Sequence, residues 1–255
     1  MITIKTVEEI EILKEGGRRL AYVLKEVSKK VVIGVSTKEL NEYAQKLIED
    51  AGDKASFLHY TPRGAKRPYP AAMCVSVNSE VVHGIPNEKP TILQDGDIVS
   101  LDLGVTHQGL ITDSALTLGV GKISSINKKL IEHCKEALFH GIKAARGGGS
   151  VGDIGHAIES FIRPLGYGIC QGLAGHGVGY KVHEDPFVPN EGRLGAGERL
   201  SPGMVLAIEP MITLGTDEII LSSDGYTYKT SDGSKAAHFE HTIAITNGEP
   251  VVLTK

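Results

Sequence analysis

The chain has 255 residues, 41% hydrophobic and 23% charged, so one large domain or two small ones with a sizeable core are expected. Its formal net charge of -4 gives no basis for a nucleic-acid or anionic-membrane partner, and no apolar run approaches the roughly 18 residues needed to span a bilayer. Three widely spaced cysteines and the lack of a signal-peptide layout argue against a disulfide framework and suit a reducing, cytoplasmic location.

Two amphipathic helices are predicted at the start of the chain. Thr6 with Glu9 and Ser36 with Glu39 each have the spacing of a capping box, in which side chains satisfy the free backbone N–H groups of a helix start. Apolar residues follow each box at helical spacing, and Gly52 ends the second helix. The intervening KKVVIGV is a connector or a short strand.

The same order of elements then recurs. A third helix is predicted over 124–146, and Ser150 with Asp153 caps a fourth that ends at Gly166, so Ser36 and Gly52 each have a counterpart 114 residues later. LQDGDIVSLD at 93–102 resembles LSPGMVLAIE at 200–209, at an offset of 107. We therefore expect one α+β domain, 1–255, with an internal repeat of about 1–120 and 121–255 packed about a pseudo-twofold axis.

Four acidic residues interrupt segments that otherwise read as apolar strands: Asp102, Asp113, Glu209 and Glu240. An ionised carboxylate is costly to bury without a cation, and these strands contain no lysine or arginine. Any one of the four side chains could instead point to solvent, but solvent exposure is a poor explanation for all four together. The set suits a pair of Mn, Fe, Co or Zn ions, which can activate water and polarise a carbonyl.

Three histidines stand where an apolar stretch meets glycine or proline: His83 in EVVHGIP, and His176 and His183 in AGHGVGYKVHEDP. They are the functional candidates, whereas His238 and His241 flank Glu240 and are expected to support it. The remaining histidines are expected on the surface or on helix faces: His59, His107, His133, His140 and His156.

These segments together resemble methionine aminopeptidase, type I, of the bacterial type without an N-terminal extension. VNSEVVHGIP, GDIVSLDLG, ITDSALT, GHGVGYKVHEDP, AIEPM and FEHTIAIT occur in the family's order, and the likeness runs from about Lys5 to Val252. The resemblance implies a pita-bread fold, two related α+β halves around a central dinuclear metal site, and removal of the N-terminal methionine from nascent polypeptides with a small second residue.

Carried over by motif, Asp102 and Glu240 would contact both metal ions. Asp113 would hold one ion, and His176 with Glu209 would complete the other. Glu209 would also manage protons during hydrolysis.

The resemblance also implies substrate contacts. His183 would donate to the substrate carbonyl oxygen as it becomes an oxyanion, and His83 would contact the amide nitrogen and assist the leaving amine. The residues that match the methionine side-chain pocket are Phe57, Tyr60, Tyr69, Cys74 and Tyr226. Ordinary core packing is the alternative role for these aromatic residues.

One segment departs from the family pattern. TPRGAKRP at 61–68 is longer than the expected pocket loop and carries three positive charges. It could alter access to the pocket or contact a partner such as the ribosome. Otherwise we expect a cytoplasmic monomer with no membrane or nucleic-acid partner.

Other functions remain open at this point. Aminopeptidase P and prolidase share the wider HGxGxxxHExP motif, but they carry an additional N-terminal domain for which 255 residues leave no room. A type II methionine aminopeptidase would have a long helical insertion before Glu209. A non-catalytic binding module on the same fold would have lost metal ligands, whereas all five positions are filled here. A cysteine or serine nucleophile lacks a matched acid–base setting.

Overall fold

The computed structural model describes residues 2–62 and 64–255, and the predicted helices are present in it. They are α1 Val7–Ser28, α2 Thr37–Asp50, α3 Ser125–Ala144 and α4 Val151–Ile162, the last continued by a 3-10 turn at Arg163–Leu165. The predicted capping boxes of α1 and α2 are confirmed. At α4, Asp153 accepts from the backbone N–H of Ser150 at 2.7 Å, but Oγ of Ser150 has no hydrogen-bond partner within the described residues, so this box is half formed. KKVVIGV is a connector, and no helix within the described residues is long and apolar enough to cross a bilayer.

The strands are short except for one central hairpin. In the first half they are β1 Lys54–Ala55, β2 Cys74–Val77, β3 Glu80–Val82, β4 Ile98–His107 and β5 Leu110–Gly119. The second half begins with β6 Gly168–Ile169, β7 Ala174–Gly177, β8 Glu184–Pro189, β9 Val205–Ile208 and β10 Met211–Thr213. It ends with β11 Ile219–Leu221, β12 Tyr228–Thr230, β13 Ala236–His238, β14 Glu240–Ala244 and β15 Val251–Val252.

Most of these strands form one antiparallel sheet that crosses both halves. Among the described residues its order is β1-β4-β5-β14-β9-β7-β8, with β2 also on β4 and β15 also on β14. Two smaller sheets, β13-β10-β6 and β11-β12-β3, lie beside it. The halves meet where β5 pairs with β14, which puts the centre of the sheet at the junction of the predicted repeat.

Each half has its own hydrophobic core. One cluster joins α1 and α2 to β2 and β4, and the other joins α3 and α4 to β9 and β14. The order helix, helix, strands therefore occurs twice, as the repeat predicts. A third cluster seats α1 on the second half, where Leu13 packs with Val205, Ala244 and Leu253. There Gly17 lies against the end of the chain, because an added Cβ would be 2.2 Å from the carbonyl oxygen of Leu253.

Two predicted strands are interrupted in the structure. MVLAIEPMI divides at Glu209 and Pro210 into β9 and β10, and AHFEHTIAIT divides at Phe239 into β13 and β14. At Glu209 the chain passes from the main sheet to a small sheet, so this residue lies between two strands. At Phe239 it passes from that small sheet to the main sheet, so Glu240 is the first residue of a strand. The hydropathy pattern alone does not reveal such a change of sheet, because both sides of each break are buried.

His107 does not lie on the surface as predicted. Its imidazole is buried, and Nδ1 donates to Oδ1 of Asp53 at 2.7 Å, while Arg19 contacts the other oxygen of that carboxylate at 3.2 Å. A buried histidine needs a hydrogen-bonding partner, and Asp53 supplies it. This cluster fastens α1 to β4 and lies apart from the candidate site.

Candidate metal centre and substrate cavity

The strand register brings the predicted acidic residues to one face of the main sheet. Asp102 lies opposite Ala115, and Ala115 lies opposite Glu240, so the two acids flank it on the same face. Asp113 precedes Ala115 by two residues and therefore faces the same way. Adjacent strands β4, β5 and β14 thus each contribute one carboxylate.

The remaining two candidates come from the next strands of the same sheet. His176 in β7 lies opposite Ala207 in β9, and Glu209 follows Ala207 by two residues. The imidazole Nε2 of His176 is 3.5 Å from Oε1 of Glu209. Strands β4, β5, β14 and β7 therefore each carry one predicted ligand to a single place, and Glu209 reaches it from the residue directly after β9.

This place is the floor of a cavity with about 560 Å³ of empty volume, part of it open to solvent. Every residue predicted for the site from the sequence lines it: Phe57, Tyr60, Tyr69, Cys74, His83, Asp102, Asp113, His176, His183, Glu209, Tyr226 and Glu240. Pro62 and Val182 also line it, although no motif pointed to them. The cavity thus has a carboxylate-rich end and an apolar end.

The four carboxyl groups disfavour one another's charge. Burial raises the pKa of Asp113 to about 7. Burial, and then the charges of neighbouring acids, also raise the pKa values of Asp102, Glu209 and Glu240 well above their ordinary range. No lysine or arginine is among the described residues that line the cavity, so the protein itself provides no compensating cation.

The donor atoms fit a divalent cation. Oδ1 of Asp102, Oδ1 of Asp113 and Oε1 of Glu240 are buried and have no hydrogen-bond partner within the described residues. Ligand atoms of Asp113, His176 and Glu240 lie within 4.8 Å of one another, and so do those of Glu209, His238 and Glu240. Buried oxygen atoms of this kind are rarely left unpaired, and carboxylate with imidazole is a donor set typical of Mn, Fe, Co and Zn.

His176 has its ring nitrogens in the state that a ligand requires. Nδ1 donates to the carbonyl oxygen of Gly177 at 2.9 Å, so the lone pair of a neutral ring is on Nε2, which faces the acids. His238 approaches the same carboxylate from the other side, with Nε2 3.3 Å from Oε2 of Glu209. His238 was expected to support Glu240, and in the structure its Nε2 lies beside Glu209 as well.

The glycines around His176 allow close approach of backbone to backbone. An added Cβ at Gly175 would be 2.3 Å from the carbonyl oxygen of Ala207, and one at Gly177 would be 2.1 Å from that of Asp185. No real Cβ atom sits at such a distance from a backbone atom. The strand that carries His176 therefore packs tightly between its neighbours because both flanking residues lack a side chain.

Gly177→Ala is therefore expected to destabilise the protein by about 3 kcal/mol and to weaken metal uptake, since β7 must move away from the acids. At roughly 2–4 °C per kcal/mol, the melting temperature of the metal-free protein should fall by roughly 6–12 °C. Thermal melts with and without Mn²⁺ measure both effects. Gly248→Ala is the control, because its nearest contact would be at 3.9 Å. A Gly177→Ala variant with wild-type melting and metal content would contradict the close-packing argument.

His183 is carried by a loop that is fastened to the start of the chain. Oε2 of the adjacent Glu184 accepts hydrogen bonds from Thr3 at 2.5 Å and from Nζ of Lys5 at 2.7 Å, and both side chains of the ion pair are almost completely buried. The other oxygen, Oε1, accepts from the backbone N–H groups of Tyr180 and Lys181. These contacts fix the backbone beside His183, whose ring extends to the cavity.

His83 has a backbone conformation that is rare for a side-chain-bearing residue. Its φ is 58°, in the left-handed region, and its half-buried ring lines the cavity 6.0 Å from the ring of Tyr228. Strained residues of this kind concentrate at functional sites. Burial and the nearby His183 lower the pKa of His83 to about 4, so the ring is neutral in the structure and offers one N–H donor.

The model of metallopeptidase family M24 matches residues 11–247 of this chain. The chain belongs to metallopeptidase family M24. It is 47% identical to the methionine aminopeptidase of Aquifex aeolicus, over 97% of this chain and 96% of that protein. It is 42% identical to methionine aminopeptidase 1 of Bacillus subtilis over the full length of both.

Solved structures of relatives agree with this assignment. The methionine aminopeptidase of Thermotoga maritima superposes with a TM-score of 0.94 at 40% identity, covering all of both chains. The prolidase of Pyrococcus furiosus is 24% identical, has a TM-score of 0.76 and is covered to 65% of its length, so it shares the fold alone. The predicted pita-bread fold of the M24 family is thereby confirmed, and so is the resemblance to methionine aminopeptidase.

The apolar end of this M24 cavity is a compact cluster. Tyr69 and Tyr226 meet edge to face with ring centroids 5.1 Å apart, and Phe57, Cys74 and Val182 pack with them. The Tyr69 hydroxyl donates to the carbonyl oxygen of Gly84 at 2.8 Å, which leaves mainly carbon surface toward the cavity. Cys74 lies opposite Asp102 in the sheet, so the apolar end adjoins the acids directly.

Pro62 and Arg67 of the 61–68 loop lie at the cavity wall or contact residues that form it. Arg67 pairs with Glu88 and donates to the carbonyl oxygen of Asp224 at 3.1 Å, and its own carbonyl accepts a hydrogen bond from Tyr226. Arg63, one of the three positive residues, lies outside the described residues. The loop is thus part of the cavity wall, through Pro62 as well as through its hold on Tyr226.

Proposed function

We propose that the protein is a metal-dependent methionine aminopeptidase that hydrolyses the first peptide bond of polypeptides beginning with methionine. The observation that carries the proposal is the single cavity in which an apolar pocket adjoins a cluster of buried carboxylates and histidines. Its supports are the relatives named methionine aminopeptidase, which match over their whole length, and membership of a metallopeptidase family. Xaa-Pro hydrolysis has no comparable support, since prolidase shares the fold alone.

The proposal includes two divalent ions, Mn, Fe, Co or Zn, held by Asp102, Asp113, His176, Glu209 and Glu240. Bound there, they would supply Lewis acidity that polarises a carbonyl group and acidifies water. The orphaned carboxylate oxygens and the Nε2 lone pair of His176 are the donors that favour this assignment.

The remaining polar groups have separate roles. In hydrolysis, water adds to the carbonyl carbon, the carbon–nitrogen bond breaks, and the leaving amine gains a proton. We assign His183 as the N–H donor to the carbonyl oxygen, whose negative charge grows during the addition. His83 contacts the amide nitrogen, and Glu209 transfers the proton.

The apolar end would hold the methionine side chain. Phe57, Tyr60, Tyr69, Cys74 and Tyr226 are the proposed contacts, and Val182 joins them because it packs in the same cluster. A preference for a small second residue is part of the proposal. A monomer acting in the cytoplasm on nascent chains, with the 61–68 loop near the ribosome, completes the proposal.

The proposed activity is tested with two peptides, Met-Ala-Ser and Ala-Pro-Ala. Protein stripped with a chelator should be inactive, and Mn²⁺ or Co²⁺ should restore release of free methionine from the first peptide only. Cleavage of Ala-Pro-Ala would assign an aminopeptidase P activity instead. Metal uptake with neither peptide cleaved would favour a binding module on this fold.

A further inference from the structure

Tyr60 and His183 form a pair whose geometry suggests more than a shared pocket wall. The Tyr60 hydroxyl is 2.9 Å from Nδ1 of His183, and the two rings are 5.5 Å apart and tilted. The backbone of Tyr60 is held on both sides, because its N–H donates to the carbonyl of Phe57 and its carbonyl accepts from the N–H of Tyr69. The hydroxyl is therefore presented to the imidazole from a fixed position.

The direction of that hydrogen bond decides what His183 can do. A neutral imidazole carries one proton, either on Nδ1 or on Nε2, and the nitrogen without it is an acceptor. A phenol is a better donor than an imidazole N–H, and an imidazole nitrogen is a better acceptor than a phenol oxygen. Donation from Tyr60 to Nδ1 places the ring proton on Nε2, on the side away from Tyr60.

The neighbouring histidine has the opposite arrangement. Nδ1 of His176 faces the carbonyl oxygen of Gly177, which can only accept, so that ring must carry its proton on Nδ1 and present a lone pair at Nε2. The two rings are 4.5 Å apart. At Nδ1, His176 thus faces a hydrogen-bond acceptor and His183 faces a hydroxyl donor. The first arrangement leaves a lone pair at Nε2, as a metal ligand requires, and the second leaves a proton there, as a hydrogen-bond donor requires.

The carboxylate directly after His183 in the chain does not compete for this role. Glu184, the acid next to His183, has both oxygens engaged by the contacts of Thr3, Lys5 and the N–H groups at 180 and 181. The Tyr60 hydroxyl is the partner that the structure gives to Nδ1 of His183.

We propose that Tyr60 is a positioning residue, which holds His183 in the Nε2–H tautomer and aims that N–H at the substrate carbonyl oxygen. The proposal rests on the proposed function for the identity of the acceptor. It adds a second role to that of a pocket wall, because the hydroxyl of Tyr60 would act through another residue.

The tautomer can be measured without turnover. Protein labelled with ¹⁵N-histidine is examined by long-range ¹H–¹⁵N correlation at about pH 8, where exposed histidines are neutral, both metal-free and with diamagnetic Zn²⁺. His183→Ala assigns the signal. In the wild type we expect a pyridine-like shift at Nδ1 and a pyrrole-like shift at Nε2. In Tyr60→Phe, the two shifts should move toward each other as the tautomers mix.

Tyr167→Phe is a matched control, because the Tyr167 hydroxyl lies 3.0 Å from Nδ1 of His133, away from the cavity. It should alter the His133 signal and leave that of His183 unchanged. With Met-Ala-Ser, Tyr60→Phe should lower kcat about tenfold with little change in KM, since the phenylalanine ring keeps the pocket wall. Tyr167→Phe should retain the wild-type kcat.

A pyrrole-like shift at Nδ1 of wild-type His183 would overturn the proposal, and this result needs no variant to fold. A Tyr60→Phe spectrum identical to the wild type would overturn it too, even with a lower kcat, because Tyr60 would then act on substrate alone. A wild-type protein that releases no methionine would instead refute the proposed function and leave the tautomer assignment standing.

Discussion

Asp113→Asn is expected to abolish methionine release and most metal uptake while leaving the fold intact. Asp113 lies on β5, between the strands that carry Asp102 and Glu240, so it is the middle carboxylate of the cluster. An amide keeps the shape but cannot supply the negative charge that a divalent ion requires. We expect kcat to fall by more than about 10³-fold, because water is then no longer activated.

The metal-free variant provides a second and opposite readout. Burial raises the pKa of Asp113 to about 7, which means that its charge is disfavoured in the folded state. A neutral amide removes this cost, so the metal-free variant should melt at the wild-type temperature or above it near neutral pH. The wild type should gain about 2.7 kcal/mol from metal at 100 times its Kd, and the variant almost none.

Calorimetric melts with and without Mn²⁺, together with measured metal content, test this expectation. Asp50→Asn is the control, since Asp50 is an exposed aspartate at the end of α2, paired with Lys46. It should respond to metal like the wild type. An Asp113→Asn variant that binds metal and releases methionine would remove Asp113 from the proposed ligand set.

His83→Asn is expected to lower kcat by about 10²–10³-fold and to leave metal binding and the melting temperature nearly unchanged. Asparagine tolerates the left-handed backbone found at position 83, so the loop should keep its shape while the imidazole is lost. His83 is not among the residues proposed to hold metal, although it lines the same cavity.

His59→Asn is a close control, because His59 is also left-handed, with φ 65°, but is exposed. It should retain activity. Single-turnover and steady-state assays with Met-Ala-Ser, alongside metal titrations, measure the effect. Full activity in His83→Asn would show that the leaving amine needs no help from position 83.

The acidic residues could be identified from the sequence because charged side chains are unexpected within apolar strands. Asp102, Asp113, Glu209 and Glu240 are all identifiable for that reason. The strand register of the structure is needed to show that Asp113 shares the face of Asp102 and Glu240. The capping boxes located three helix starts equally well, since they depend on residues only three positions apart.

Other features left no local signal. Val182 is an ordinary apolar residue in a loop, and only the folded chain brings it beside Tyr69 and Tyr226. The strand break at Glu209 arises because the chain changes sheet there. The segments on both sides are buried and apolar, so the sequence shows no sign of the change. The buried position of His107 depends on Asp53, which is 54 residues away in the chain.

The seating of α1 has a consequence for the order of events during synthesis. Leu13 packs on β9 and β14 and against Leu253, and Gly17 touches the carbonyl of that same residue, so part of α1 is covered by segments that are synthesised long after it. Until those segments appear, Leu13 lacks these partners and β5 has no β14 beside it, although Leu20, Leu24 and Val27 already have theirs in the first half. The edge of β5 is therefore unpaired for part of synthesis, which is a risk of aggregation, and the first half cannot form an active site before β7, β9 and β14 are made.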